Sequence, residues 1–297
     1  MKKVLFSVLA LAAYCTTVSA QSIIDANDQR NPRDFYQKGL IVGKKAMPYP
    51  AVRESDVIWE CLIWRDIDLN EKFNQFFYFP VDDEKDTQGR VNLVNLIVKA
   101  VAAGEIPAYE DDDFVKEYDA AEAMRQLIGD PRVVEQEATD SDGNVMYDDD
   151  GEAIMERKEV ARSFAKESAK KLHILEKWYI DKQDTRQKVR IVGLAFEYLK
   201  ENIAGEEVQT SSFWIPIDDM RVRQVLINAN AYDENNDVAV HTYDDVFIQR
   251  YFDSYIVRES NVQNRRLSDY LTGEDAILKS QMIEDYIFDL ESDMWEY

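Results

Sequence analysis

Apolar and polar positions change rhythm several times along this chain, and each change predicts an element. Ile58-Trp59, Leu62-Ile63-Trp64 and Ile67 precede Phe76-Phe77-Tyr78-Phe79, an aromatic density that suits strands of a half-buried sheet, with Pro80 as the stop. Val94, Ile97, Val98 and Val101 then share one helical face, with Asn92, Asn95 and Lys99 opposite and Gly104 at the end. A second helix is predicted from about Phe114 to Ile128, closed by Gly129 and Pro131.

The second half repeats this order. Trp178-Tyr179-Ile180-Asp181 and Lys188 to Val192 read as strands, and Phe213-Trp214-Ile215-Pro216-Ile217-Asp218-Asp219 echoes Tyr78-Phe79-Pro80-Val81-Asp82-Asp83. A helix follows, with Val222, Val225, Leu226 and Ala229 on one face and Arg221, Gln224 and Asn228 facing away. Tyr243 to Phe247 then matches Glu110 to Phe114, so an internal duplication is favoured. The expected class is α+β, as two similar tandem lobes of short strands and helices. An extended N-terminal arm precedes them, because Met47-Pro48-Tyr49-Pro50 disfavours helix. A C-terminal helix, capped by Thr272 and lined by Ile283, Ile287, Leu290 and Met294, completes the chain. The expected boundaries are 1–20 for a signal peptide, 21–56 for the arm and 57–135 for the first lobe. An acidic hairpin and connecting helix take 136–171, the second lobe 172–262 and the C-terminal helical segment 263–297. The connecting helix is placed at about Glu156 to Leu172.

The leader sets the compartment. Lys2 and Lys3 precede an apolar stretch too short to span a membrane, and Val18-Ser19-Ala20 forms a cleavage site, so export to the periplasm is expected. Tyr14 stands where a lipid anchor on Cys15 would need a small residue. Loss of the leader would leave Cys61 as the one cysteine, read as a buried small hydrophobe. With 35 basic against 58 acidic residues the net charge is −23. Nucleic acid and anionic membrane faces are therefore repelled, while basic proteins and divalent cations are attracted. Solubility alone would also explain that charge.

Catalytic equipment is thin. His173 and His241 stand apart with no nucleophile at a useful spacing, and no phosphate loop, nucleophile elbow or dinucleotide fingerprint occurs. Zinc lacks ligands. Asp82-Asp83 or Asp218-Asp219 would suit a carboxylate hydrolase, yet acids after a strand-ending proline are more simply helix N-terminal residues. The Asp-Gly segments within 138–153 miss calcium-loop register, so an exposed hairpin is preferred. No cofactor or metal is expected.

Pro48-Tyr49-Pro50, Arg53-Glu54-Ser55-Asp56-Val57-Ile58-Trp59 and Trp64-Arg65-Asp66-Ile67-Asp68-Leu69-Asn70-Glu71-Lys72-Phe73-Asn74 together resemble the GldN/PorN family of gliding-motility and type IX secretion proteins of the Bacteroidetes. Trp214 to Asp218, Tyr255 to Val262 and Ile287 to Trp295 are similar to it as well. Asn70 departs from the pattern, which carries arginine there, and the length of the acidic 138–153 insert is not carried over from the resemblance. The resemblance implies a non-catalytic structural subunit of a periplasmic ring, built of copies of itself with an outer-membrane lipoprotein of the GldK/PorK type. It also implies contact with the periplasmic part of a GldL–GldM-type motor, attachment to the inner face of the outer membrane through the lipoprotein alone, and no nucleic acid. The residue types that anchor interfaces are Pro48, Tyr49, Pro50, Arg53, Trp59, Trp64 and Arg65, on an arm expected to reach a neighbour. A carboxylate-using periplasmic hydrolase and a calcium- or ligand-binding module stay open as alternatives.

Overall fold

Runs rich in aliphatic and aromatic residues make the longest strands. In a computed structural model of the chain, residues 44–81, 90–129, 132–137, 155–160, 164, 168–201, 207–231 and 241–293 are described. The leader, the arm before residue 44, the Asp82-Asp83 pair and the 138–153 hairpin lie outside them. Strands β1 (Val57–Asp68), β6 (Ala169–Asp181) and β7 (Gln187–Glu201) are the antiparallel centre of one sheet. Its order is β10-β1-β6-β7-β8, with β8 at Glu207–Ser211 and β10 at Tyr255–Glu259 on the edges, and β9 (Ile215–Pro216) also pairs with β7. Two short hairpins accompany it, β2 (Ala108–Tyr109) with β3 (Glu117–Tyr118), and β4 (Arg132–Glu137) with β5 (Met155–Val160).

The α+β class therefore holds. The two halves are not segregated, however: β1 from the first half lies between β6 and β10 from the second. Ile67, Phe77 and Leu93 accordingly pack in one core with Leu172, Phe196, Val222 and Tyr243. All described residues belong to one compact unit, Gly43–Tyr297. Sheet pairing gives the reason, because β1 is buried in its C-terminal half and finds hydrogen-bonding partners on both sides only in the second half of the chain.

Helix α1 (Leu93–Ala102) buries Val94, Ile97, Val98 and Val101 as its periodicity predicts, and Gly104 follows it at φ 71°. Asn92 and Asn95 are buried rather than outward. The Asn92 side chain accepts from the Asn95 amide at 3.0 Å and donates to the Tyr78 carbonyl, so it works as a cap in the core. Helix α2 (Ala120–Ile128) ends at Gly129, φ 83°, as expected, but it begins six residues later than the periodicity suggests. The β2–β3 hairpin takes up the preceding residues, and Phe114 sits at φ 52°. Glu110 to Phe114 thus forms a turn, whereas its counterpart Tyr243 to Phe247 lies in helix α4 (Tyr243–Gln249).

Two further expectations change. Phe76-Phe77-Tyr78-Phe79 is not a strand, because Lys72–Phe77 is a 3-10 helix. Buried Asn74 bends the chain there: its amide donates to the carbonyls of Asp68 and Asp253, both at 3.0 Å, and its oxygen accepts from the Asp253 amide at 2.9 Å. The turn delivers Phe77 into the core against Tyr243 and Phe247. Nor do the described residues of 156–172 form the expected helix, since they hold β5 and the start of β6. Leu172 and Ile174 alternate into the core from there, so the period of two prevails over the 3.6 period.

Helix α3 (Met220–Ile227) buries Val222 and Leu226 as expected, and Arg223 in addition. Helix α5 (Glu274–Asp293) lays Ile283 and Ile287 on Ile63, Ile256 and Leu267, a second, smaller core against which Cys61 and Trp178 pack. Burial raises the Cys61 thiol above its ordinary pKa, in keeping with a packing role.

Gly193 of β7 has a specific reason. A Cβ there would lie 2.5 Å from the Phe114 ring and 3.3 Å from Trp214. Gly193→Ala should displace the 110–114 turn and cost about 1–3 kcal/mol. A shift in the urea midpoint at unchanged slope, with faster hydrogen exchange in 110–114, is the expected result.

Candidate functional site

The residues expected to meet partners fall into three settings. The first is the segment before β1, which lies against α3 and β7 of its own chain. Gln224 grips its backbone twice: Ala46 N donates to Gln224 Oε1 at 3.2 Å, and Gln224 Nε2 donates to the Lys44 carbonyl at 2.9 Å. Arg223 donates to the Met47 carbonyl, and its guanidinium centre stands 4.4 Å from the centre of the Tyr49 ring. Arg190 reaches the same ring at 5.3 Å and donates to the Pro50 carbonyl. Burial raises the Tyr49 phenol, against the opposing pull of Arg223.

Arg223 can do this because it is fixed itself. Its Nε and Nη2 donate to the two carboxylate oxygens of Asp244, both at 2.9 Å, and both side chains are buried. Thr242 and Asp245 build the capping box that starts α4 and so positions Asp244 in its first turn. The first residues of α4 thus hold, through Arg223 of α3, the chain that enters the sheet.

The second setting is a groove of about 690 Å³ where that segment meets the sheet, lined by Val52, Ile58, Trp59, Lys177, Tyr179 and Arg190 among others. Trp59 is half-buried in its wall, and Ile58 is exposed. Glu60 pairs with Lys177 at 3.3 Å on its floor. Arg53 is exposed at the start of the short 3-10 turn Glu54–Asp56. A wall of Val52, Ile58 and Trp59, with Lys177 and Arg190 set against Glu54 and Glu60, suits a polypeptide segment better than a small anion.

The third setting is internal. Trp64 Nε1 donates to Asp112 at 2.7 Å, and Arg258, hydrogen-bonded to the same carboxylate, covers the Trp64 ring at 3.5 Å. Arg65 is buried. Its Nη1 donates to the carbonyl and hydroxyl of Ser254, its Nη2 to Glu284, and its Nε stands 3.4 Å from fully buried Glu176. Glu176 also takes hydrogen bonds from Arg250, at 2.5 Å, and from Trp178, at 2.9 Å. Trp64 and Arg65 therefore tie β1 to β10, α5 and the 110–114 turn, while Trp59 lines the groove and Tyr49 and Pro50 touch its Arg190.

Groups that suggested chemistry have structural partners. His173 Nδ1 lies 2.6 Å from Asp66 Oδ1, its opposite in the β1–β6 ladder, and Nε2 lies 3.7 Å from Glu197. Lys171, hydrogen-bonded to Tyr255, has its pKa raised by that bond, and burial raises the Tyr255 phenol. Among the described residues no group of three or more His, Cys, Asp or Glu side chains is placed to hold a metal ion. Asp219 caps α3, accepting from the Arg221 amide at 2.8 Å and the Arg221 guanidinium at 2.8 Å, and those bonds hold its pKa below the ordinary value. The helix-start reading of Asp218-Asp219 is thus the observed one.

Asp219→Ala should cost about 1 kcal/mol at neutral pH. A lowered folded pKa stabilises the fold fully above the unfolded carboxylate value and progressively less as pH falls through the lowered one. The wild-type and variant urea midpoints should therefore converge as pH drops below the ordinary aspartate range, a trend that paired unfolding curves will read directly.

Sequence reasoning missed Arg223, Asp244 and Glu176. Each looks like an ordinary surface charge in its own segment, and its partner comes from a distant one. The sequence model of one protein family, described as "Gliding motility associated protein GldN", matches residues 52–296. No curated protein sequence matches the chain.

Proposed function

Because the chain belongs to the GldN family of gliding-motility associated proteins, we propose that it is a non-catalytic structural subunit of the gliding and type IX secretion machinery. In this reading it forms a periplasmic ring with a GldK/PorK-type outer-membrane lipoprotein and bears on the periplasmic part of a GldL–GldM-type motor. The family match over residues 52–296 carries the reading. It is supported by what the candidate chemical groups do, since Asp219 caps a helix and His173 bridges two strands through Asp66. No helix among the described residues is long and apolar enough to cross a membrane, in keeping with attachment through a partner.

The ring contact is assigned to the groove and its rim, Pro48, Tyr49, Pro50, Arg53 and Trp59. Residues 44–50 lie on their own α3, so the arm presents this rim rather than leaving the subunit there. A head-to-tail ring needs a surface of this kind that is complementary to a different patch on its neighbour. Trp59→Ala, in a strain lacking the native copy, should reduce co-purification with the lipoprotein at least tenfold while lowering the unfolding midpoint only modestly, as suits a half-buried side chain. Full secretion by a strain lacking the chain altogether would refute the reading.

A further inference from the structure

Helix α5 keeps an apolar stripe on its outer side. Ile283 and Ile287 face the small core, yet Leu278, Met282 and Tyr286 are 45, 61 and 57% exposed. Their spacing of four residues aligns them along one face. A helix that packs on its parent through one stripe ordinarily turns polar residues outward there. Acids border this second stripe on one side, where Asp285 and Asp289 run along it; on the other side Asp275 stands at the start of a row that continues through Lys279 to the inward Ile283 and Ile287. Lys279 is the one basic residue of α5, and the last turn carries none. The helix dipole adds negative potential at that end.

We propose that this face receives a basic amphipathic helix of another protein. Apolar side chains at three- and four-residue spacing would lie on Leu278, Met282 and Tyr286, with Lys or Arg against Asp285 and Asp289 along one side and against Asp275 at the start of the other. Geometry selects a helix, because the stripe follows a single i, i+4 row that rises about 12 Å and is inclined by roughly 26° to the axis of α5, the kind of ridge that a second helix packs against. A strand would gain no backbone ladder from α5, whose backbone groups are already paired within the helix. Charge selects the partner's sign and argues against a second copy, which would set its own acids against these in a chain already at −23. The proposal does not depend on the ring reading, because the stripe and its rims belong to the isolated subunit.

Met282→p-benzoylphenylalanine in the full-length chain, irradiated in intact cells, tests this. The expected product is a covalent adduct with a different protein whose cross-linked peptide is net positive and has apolar residues at helical spacing. Leu278→Ser with Tyr286→Ser, or Asp285→Lys with Asp289→Lys, should each lower that adduct at least tenfold at unchanged helicity by circular dichroism. A cross-linked peptide from this chain itself, an acidic or non-amphipathic peptide, or a yield no higher than from the same photoreactive residue at Asp184 in the β6–β7 turn would each overturn it.

Discussion

Asp244→Ala is expected to cost about 3–5 kcal/mol, because it leaves the buried Arg223 guanidinium without its counter-charge. The pair is bidentate, with both bonds at 2.9 Å, and neither side chain has solvent to fall back on. The loss will not stay local. Arg223 also holds the Met47 carbonyl and faces the Tyr49 ring, so the segment before β1 should come free. Trypsin should then cut at Lys44 and Lys45 well before global unfolding. Replacing both partners, Arg223→Met with Asp244→Leu, should recover most of the stability, because no charge is left buried. It should not restore protection at Lys44 and Lys45, since the Met47 and Tyr49 contacts need the guanidinium. Separating these two readouts distinguishes a pair that anchors the segment from one that only stabilises the helices.

Glu176→Ala should be of similar size, about 3–5 kcal/mol. The carboxylate has no exposure and lies among Arg65, Arg250 and the Trp178 indole. Its removal leaves buried Arg65 with only the half-exposed Glu284 carboxylate as counter-charge, and Arg65 is what ties β1 to Ser254 and to Glu284 of α5. A fall in Tm of roughly 10 °C follows for a unit of this size. Hydrogen exchange should rise first in β10 and α5, which that arginine helps to hold against β1 beside the strand ladder and the small core. Arg250→Ala should cost less, since Arg250 is partly solvated while Arg65 is not.

Those two sites explain what the sequence alone conveys and what it withholds. Strand composition at Ile63 and Ile67, helical spacing at Val94, Ile97 and Val101, and the stops at Gly104 and Gly129 are local signals, and the structure uses them as written. Asp219 followed by α3 is local too. The segments misjudged are those where a distant contact prevails over local preference. Phe76 to Phe79 has strand composition, but Asn74 ties the turn before it to Asp253, 179 residues away. Residues 156–172 have a helical face, but the sheet needs Leu172 and Ile174 as strand residues against β1 and β7. Arg223 and Glu176 are the extreme case. A charged residue amid polar neighbours carries no mark of burial until its partner arrives from another element. The same reasoning separates Tyr49 and Trp59, at the rim of the groove, from Trp64 and Arg65, which have the same residue chemistry but serve the interior.

The central claim is that this chain works by assembly with a lipoprotein partner. Its most direct test is electron microscopy of the detergent-extracted outer-membrane fraction, purified through a tag on the chain. Closed ring particles containing both the chain and the lipoprotein are the predicted result, with ring yield falling for Trp59→Ala. Recovery of the chain as a monodisperse monomer, free of any lipoprotein, from cells that glide and secrete normally would contradict it.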